Sequence, residues 1–412
     1  MTPKSEEDKE ALSPWQFVAL ADYSPPTAPV TQTVKRGLSS LLKLVQREEA
    51  ESAEPFKAVE DLRVLSEAQL ARVAPALDPP AAVDALLGEL KNWLEQEEPN
   101  PPVLALMGPP YSGHRAILQA SASQQGWSIL EPPTAEQILA GDEAWLEDLK
   151  HAGRPWVFPV LERAYLRHAS GLSLVRRFLD LAYAGELGRG IIGCDSWAWA
   201  FLRHTWHGRF PVILAVQALD QERLASSFQR LAHVAGRVPL RFRQSDNGYC
   251  VLAPPDMDPE DEQATNEHSN FLQLLAAHAR GIGGVAWEGW RAALRTQPDE
   301  VLDEEAAAED RASPYQTVWV IPWDQLQWPA LPNGAGRDEA FVLHALLLHD
   351  GLPLPLLWQL VPLSPSQATE TLYRLQDARL VGQRDGLWRV SALGYPAVRQ
   401  FLHDNGYLVD VC

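Results

Sequence analysis

Val103-Leu104-Ala105-Leu106-Met107 is an unbroken apolar run, and Gly108-Pro109-Pro110-Tyr111-Ser112-Gly113-His114-Arg115 follows it directly. Five apolar residues bounded by turn formers predict a strand buried on both faces. Such a strand needs a sheet with a layer packed on each side. The segment AILQASASQQ after Arg115 reads as a helix, so the order is strand, glycine-bounded loop, helix. Further apolar strand candidates follow at Trp127–Leu130, Trp156–Leu161, Gly190–Cys194 and Pro211–Val216, separated by helical stretches. Strands alternating with helices predict a parallel α/β sheet.

The chain of 412 residues is long enough for two or three domains and for a core without disulfide or metal staples. Three cysteines without a CxxC pair exclude a disulfide scaffold. The charged N-terminus does not read as a signal peptide. The longest apolar stretch, His344 to Leu363, carries two His, one Asp, one Gln and three prolines, which does not suit a membrane span. The expectation is a reduced, cytoplasmic protein that does not span a membrane. A net charge of −19 disfavours general nucleic-acid binding, which needs a basic field. Between Arg163 and Arg243, however, twelve arginines face five acids. That stretch is either scattered surface arginine or a basic face for an acidic partner. All seven lysines precede residue 151, so no chemistry built later in the chain has one.

Four regions are expected. Residues 1–80 read as an appendage rich in Pro, Ser and Glu, with an amphipathic helix at Val34–Glu49. Residues 81–245 hold the α/β core. Residues 246–335 contain two acidic blocks, Asp256–Glu262 and Asp299–Asp310, around a helical region at Asn270–Arg295. Residues 336–412 read as three helices, a two-stranded hairpin turning at Asp385-Gly386 and a closing helix.

The loop 108–115 carries the two glycines of the phosphate-binding pattern G-x-x-x-x-G-K-[ST] in its required setting, but not its lysine or hydroxyl. His114 stands where the lysine would hold β/γ-phosphates with a permanent charge; an unperturbed imidazole is mostly neutral at pH 7. Arg115 stands where a hydroxyl would hold Mg²⁺; a guanidinium has no acceptor and repels the metal. Arg115 can instead pair with a phosphate directly. The strand Val157–Val160 ends at Leu161-Glu162, where an acidic pair would hold a metal's water shell and polarise a water. Only Glu162 remains.

This series resembles the AAA+ and STAND group of P-loop ATPases, particularly branches with a C-terminal winged helix as in origin-recognition-like proteins. The resemblance spans about residues 80–412. It implies a P-loop NTPase (AAA+-like) parallel-sheet core at 81–245, a helical lid at 246–335 and a winged-helix domain at 336–412. It also implies that Gly108, Gly113, His114, Arg115, Glu162, Arg209 and Arg291 form the nucleotide site. In that mapping Asp195 or Ser196 is the polar sensor position, Arg209 an arginine finger and Arg291 the lid's sensor arginine. The cofactor is then ATP or ADP, or none. The substitutions at 114, 115 and 161 predict a pseudo-ATPase.

His204 and His207 lie three apart near Cys194, but no further ligand falls at zinc-site spacing. No Ser-His-Asp order or nucleophile elbow occurs. The candidate recognition helix, Ser366–Ala378, has one arginine against Glu370 and Asp377, which favours contact with protein over DNA. The expected function is a catalytically impaired regulator or scaffold acting by protein–protein or self-assembly. The rivals are an ATPase switch with substitute residues and a DNA-associated factor. The abundance of Trp and Arg suits an interface anchored by buried aromatic residues.

Overall fold

The computed structural model describes residues 14–26, 57–75, 79–150, 155–208, 210, 212–232, 238–252, 269–298 and 315–410. Its larger sheet contains β1 (Phe17–Ala19), β3 (Val103–Gly108), β4 (Ser128–Ile129), β5 (Trp156–Phe158), β6 (Gly190–Asp195) and β7 (Ile213–Val216), in the order β1-β7-β3-β6-β5-β4. Every pairing is parallel except β1 with β7. The apolar run at 103–107 is the third strand in this order, and all of it is buried.

Strand alternation divides the apolar residues between two layers. Leu104, Leu106, Val157 and Ile191 pack beneath the helices Pro79–Leu94 and His114–Gln125, against Leu86, Leu90, Ile117 and Leu118. Met107, Trp156, Phe158 and Ile192 face the opposite way. They meet Trp145, Phe178 of the helix Ser173–Tyr183, and Leu202 of the helix Ser196–Thr205. Side-chain size is matched to the pleat at Gly190, where a Cβ would lie 2.2 Å from the Trp156 ring.

A second sheet has the order β2-β10-β11-β8-β9, built from β2 (Arg63–Val64), β8 (Leu240–Gln244), β9 (Cys250–Leu252), β10 (Leu294–Thr296) and β11 (Gln316–Val320). Only β8 and β11 run parallel. The expected boundary at 245 therefore falls inside a pair of strands. The region read as a helical lid supplies β9, β10 and β11. The helical region expected at Asn270–Arg295 holds two helices, Phe271–His278 and Gly283–Ala293, separated where Arg280 and Gly281 take positive φ (54° and 72°). Trp290 of the second helix stacks on Phe228, ring centroids 5.2 Å apart. Nor do the described parts of the 1–80 region stand outside the fold: β1 joins one sheet and β2 the other. The helix expected at Val34–Glu49 and both acidic blocks lie outside the described residues.

The C-terminal part has the helices Arg337–Leu348, Leu354–Leu360, Pro365–Asp377 and Tyr395–Asp404, and an antiparallel hairpin of β12 (Val381–Arg384) and β13 (Leu387–Val390). Ser364 caps Pro365–Asp377 through a reciprocal pair with Gln367. The helix Arg337–Leu348 is buried along most of its length, because it packs on its neighbours and on Ser196–Thr205 at once.

The fifteen tryptophans are all buried or half-buried. They pack in or against the protein's own core, as expected of tryptophans set beside apolar runs. The arginines of 163–243 do not form one free face either. Arg163 and Arg167 reach into the C-terminal part, Arg189 donates to the carbonyl of Leu94, and Arg241 donates to Thr317. Among the described residues no helix is long and apolar enough to cross a membrane.

Candidate functional site

The loop after β3, the turn after β5 and the end of β6 all open at the carboxyl edge of the parallel sheet, the general location of ligand sites in such sheets. Gly113 (φ 83°) precedes the helix His114–Gln125, and Tyr111 also takes a positive φ of 69°. Gly108 is demanded by contact: a Cβ there would fall 2.1 Å from Ser112 Oγ and 2.8 Å from His114 Nδ1. A cavity of about 290 Å³ lies over the loop, with Gly113, His114, Arg115, Glu162, Asp195, Asp350 and Arg389 in its wall.

His114 is buried, with Nδ1 3.0 Å from Ser112 Oγ and no partner on Nε2. Burial pulls its pKa down to about 4, so at pH 7 the lysine position carries no charge. Leu161 is fully buried in the core beneath the loop. Glu162 is buried and accepts from the Asp195 N–H at 3.1 Å. Desolvation, reinforced by the Asp350 charge, pushes its carboxyl up to about 7. Asp195 accepts from the Trp197 N–H at 2.8 Å and so caps the helix Ser196–Thr205. Burial and then Glu162 hold its carboxyl well above the usual range.

At the loop Arg115 is joined by three charged residues outside the motif, Arg163, Asp350 and Arg389. Asp350 Oδ2 receives Arg163 Nη2 at 2.9 Å, Arg115 Nη1 at 3.4 Å and Arg389 Nη2 at 3.5 Å. Arg389 Nε also donates to the Asp350 carbonyl at 3.1 Å. Asp350 sits in the turn that ends Arg337–Leu348, with φ 47°, followed by Gly351 at φ 90°. Gly351 N–H returns to the Leu346 carbonyl, satisfying one of the helix's last carbonyls. Asp tolerates the left-handed region better than most residues. The Tyr111 hydroxyl donates to the Val390 carbonyl, joining the loop to β13.

Of the residues expected at the site, Gly108, Gly113, His114, Arg115 and Glu162 come together. Arg291 does not line the cavity. It pairs with Glu67 at 2.5 Å and lies 4.5 Å over the Trp287 ring. Arg209 lies outside the described residues. Ser196 is buried and turned to Asp410. Arg163, Asp350 and Arg389 carried no local signal beyond the Gly351 turn after an apolar helix.

No family model and no curated protein matches the chain. Among solved structures it is similar to the Walker-type ATPase PabY2304 of Pyrococcus abyssi, at 13% identity. That match covers 81% of this chain and 97% of the other, with a TM-score of 0.32. A score this low sets no constraint on fold or function.

Proposed function

We propose that this chain is an AAA+-like P-loop protein that has lost efficient hydrolysis and works as a regulator through protein assembly. On this reading its C-terminal part is a winged helix seated on the phosphate-binding loop. The observation that carries the reading is the state of His114. The group at the lysine position is buried, neutral and turned to Ser112, while the loop keeps the backbone that its two glycines require.

The residues present do not fit a magnesium ion. Position 115 offers a guanidinium, position 161 an apolar side chain, and Glu162 is engaged with the Asp195 amide. Without a metal and a fixed cation on the transferred phosphate, the charge stabilisation on which phosphoryl transfer depends is missing. Anion binding survives that loss, because Arg115 and Arg389 border the cavity.

The testing experiment pairs calorimetry with a turnover assay on the full chain. ADP binding is expected, with ATP turnover no faster than in Glu162→Ala. Robust turnover that disappears in Glu162→Ala would refute the reading. For the assembly role, a complex should persist in native lysate at physiological salt. Sedimentation as a free monomer would remove that half of the proposal.

A further inference from the structure

Three arginines from three separate elements converge on one oxygen. Arg115 lies in the first turn after the loop, Arg163 follows β5, and Arg389 belongs to β13. One carboxylate offsets one of three positive charges. Asp350 reaches that position from a turn at the end of a helix, in a backbone conformation that few side chains adopt. Its carboxylate makes no hydrogen bond outside this cluster among the described residues.

We infer that the Arg115–Arg163–Arg389 cluster is a diphosphate-binding site whose place is held by Asp350 as a built-in competitor. A diphosphate entering the cavity takes over the arginines and displaces Asp350. The inference rests on the reading above that the loop binds phosphate, and adds how that binding is restrained and what it moves. A diphosphate brings more oxygens and more charge than a carboxylate, so it satisfies guanidinium forks that a single Oδ2 leaves partly unmet. The adjoining 290 Å³ offers it room without reshaping the core. The movement is local. Tyr165 still holds the Leu348 carbonyl at 2.8 Å, and Ser196 still holds Asp410. What loosens is the turn 349–352, with the β13 backbone that pairs with it at Leu352 and Trp388.

Competition and binding are linked: whatever holds Asp350 on the arginines weakens ligand affinity by the same factor. The probes are pyrophosphate and ADP, titrated by calorimetry into full-length wild type and Asp350→Asn. The expected result is binding at least about tenfold tighter in Asp350→Asn for both probes. Equal affinity in the two proteins would reduce Asp350 to a bridge between elements and leave the phosphate reading standing. No binding to either protein would overturn both. ADP matching pyrophosphate assigns the recognition to the phosphates alone, whereas tighter ADP adds the nucleoside; either result supports the cluster as the site. Hydrogen exchange on the wild type decides independently if Asp350→Asn does not fold. Saturating pyrophosphate should speed exchange at 349–352 and 387–390 while slowing it at 113–118. Slowing at both places would mean that Asp350 is not displaced.

Discussion

The Ser196 hydroxyl donates to the Asp410 carboxylate at 2.9 Å, fastening the last described residue to the end of the central parallel sheet. The Tyr395 hydroxyl reaches the same oxygen at 2.9 Å, and Arg399 Nε reaches the other at 2.6 Å. The Trp197 indole N–H completes the group by donating to the Tyr395 hydroxyl at 2.9 Å. Of the two candidate sensor positions, Ser196 thus belongs to a structural clamp, whereas Asp195 lines the cavity.

Removing the clamp's acceptor should be costly. In Asp410→Ala, two buried hydroxyls and the Arg399 guanidinium, 15% exposed, lose their shared carboxylate. Breaking a buried charge pair costs about 3–5 kcal/mol. We expect urea unfolding of Asp410→Ala to show a loss near the lower end. A loss under about 0.5 kcal/mol, the scale of an ordinary surface substitution, would contradict the clamp.

Two glycine substitutions should move stability in opposite directions. Gly108→Ala places a methyl against Ser112 and His114 and should destabilise by about 1–3 kcal/mol through overpacking. Gly88 lies exposed in the helix Pro79–Leu94, with nothing within 4 Å of its added Cβ. Gly88→Ala should therefore stabilise by about 0.5–1 kcal/mol. Thermal unfolding of both reads the contrast; equal shifts would refute the loop geometry.

His114 should make the protein acid-sensitive. Its pKa falls from 6.5 unfolded to about 4 folded, so the folded state excludes a proton that the unfolded state binds. The resulting stability is complete above pH 6.5, drains as pH falls toward 4, and levels off below. The slope per group is at most about 1.4 kcal/mol per pH unit. Unfolding of His114→Asn across this range should show a shallower loss than wild type. Parallel curves would mean that the imidazole is not held neutral.

Glu162 has the opposite sign. Its folded carboxyl is raised to about 7 from 4.5, so wild-type stability falls as pH rises through that window and stays lower above it. Glu162→Gln keeps an acceptor for the Asp195 amide and removes the buried charge. It should match wild type near pH 4 and exceed it at pH 8 by about 1–3 kcal/mol. An advantage equal at both pH values would point to packing instead.

Much of the larger sheet was legible because each strand declares itself locally. The apolar runs at 103–107 and 190–194 are buried on both faces, and Gly108 and Gly113 punctuate the loop between strand and helix. The second sheet was not legible. Its parallel pair joins Leu240 to Gln316 and Val320 to Gln244 across 76 residues, and β2 has only two residues. The candidate site was half legible for the same reason. Gly108 through Arg115 is one contiguous motif, whereas Arg163 and Asp350 stand 187 residues apart. Nothing in local periodicity reports a pair made by docking one part of the chain on another. Arg291 illustrates the converse: its place on the expected lid helix suggested a sensor, but its guanidinium pairs with Glu67 and lies over the Trp287 ring.

The antiparallel β1 lies outside β7 at the margin of the larger sheet, with Phe17 opposite Val216 and Ala19 opposite Leu214. It occupies the hydrogen-bonding edge that β7 would otherwise present, and Trp15 and Phe17 cover the apolar residues behind it. A version of the chain lacking β1 and the residues before it would keep the loop, the acids, β2 and the whole C-terminal part. It would also expose an unpaired strand ending in Leu-Ala-Val, a template for intermolecular strand addition. The short N-terminal strand thus acts as a guard against self-association, and shortened versions of this protein should precipitate at concentrations where the full chain stays dispersed.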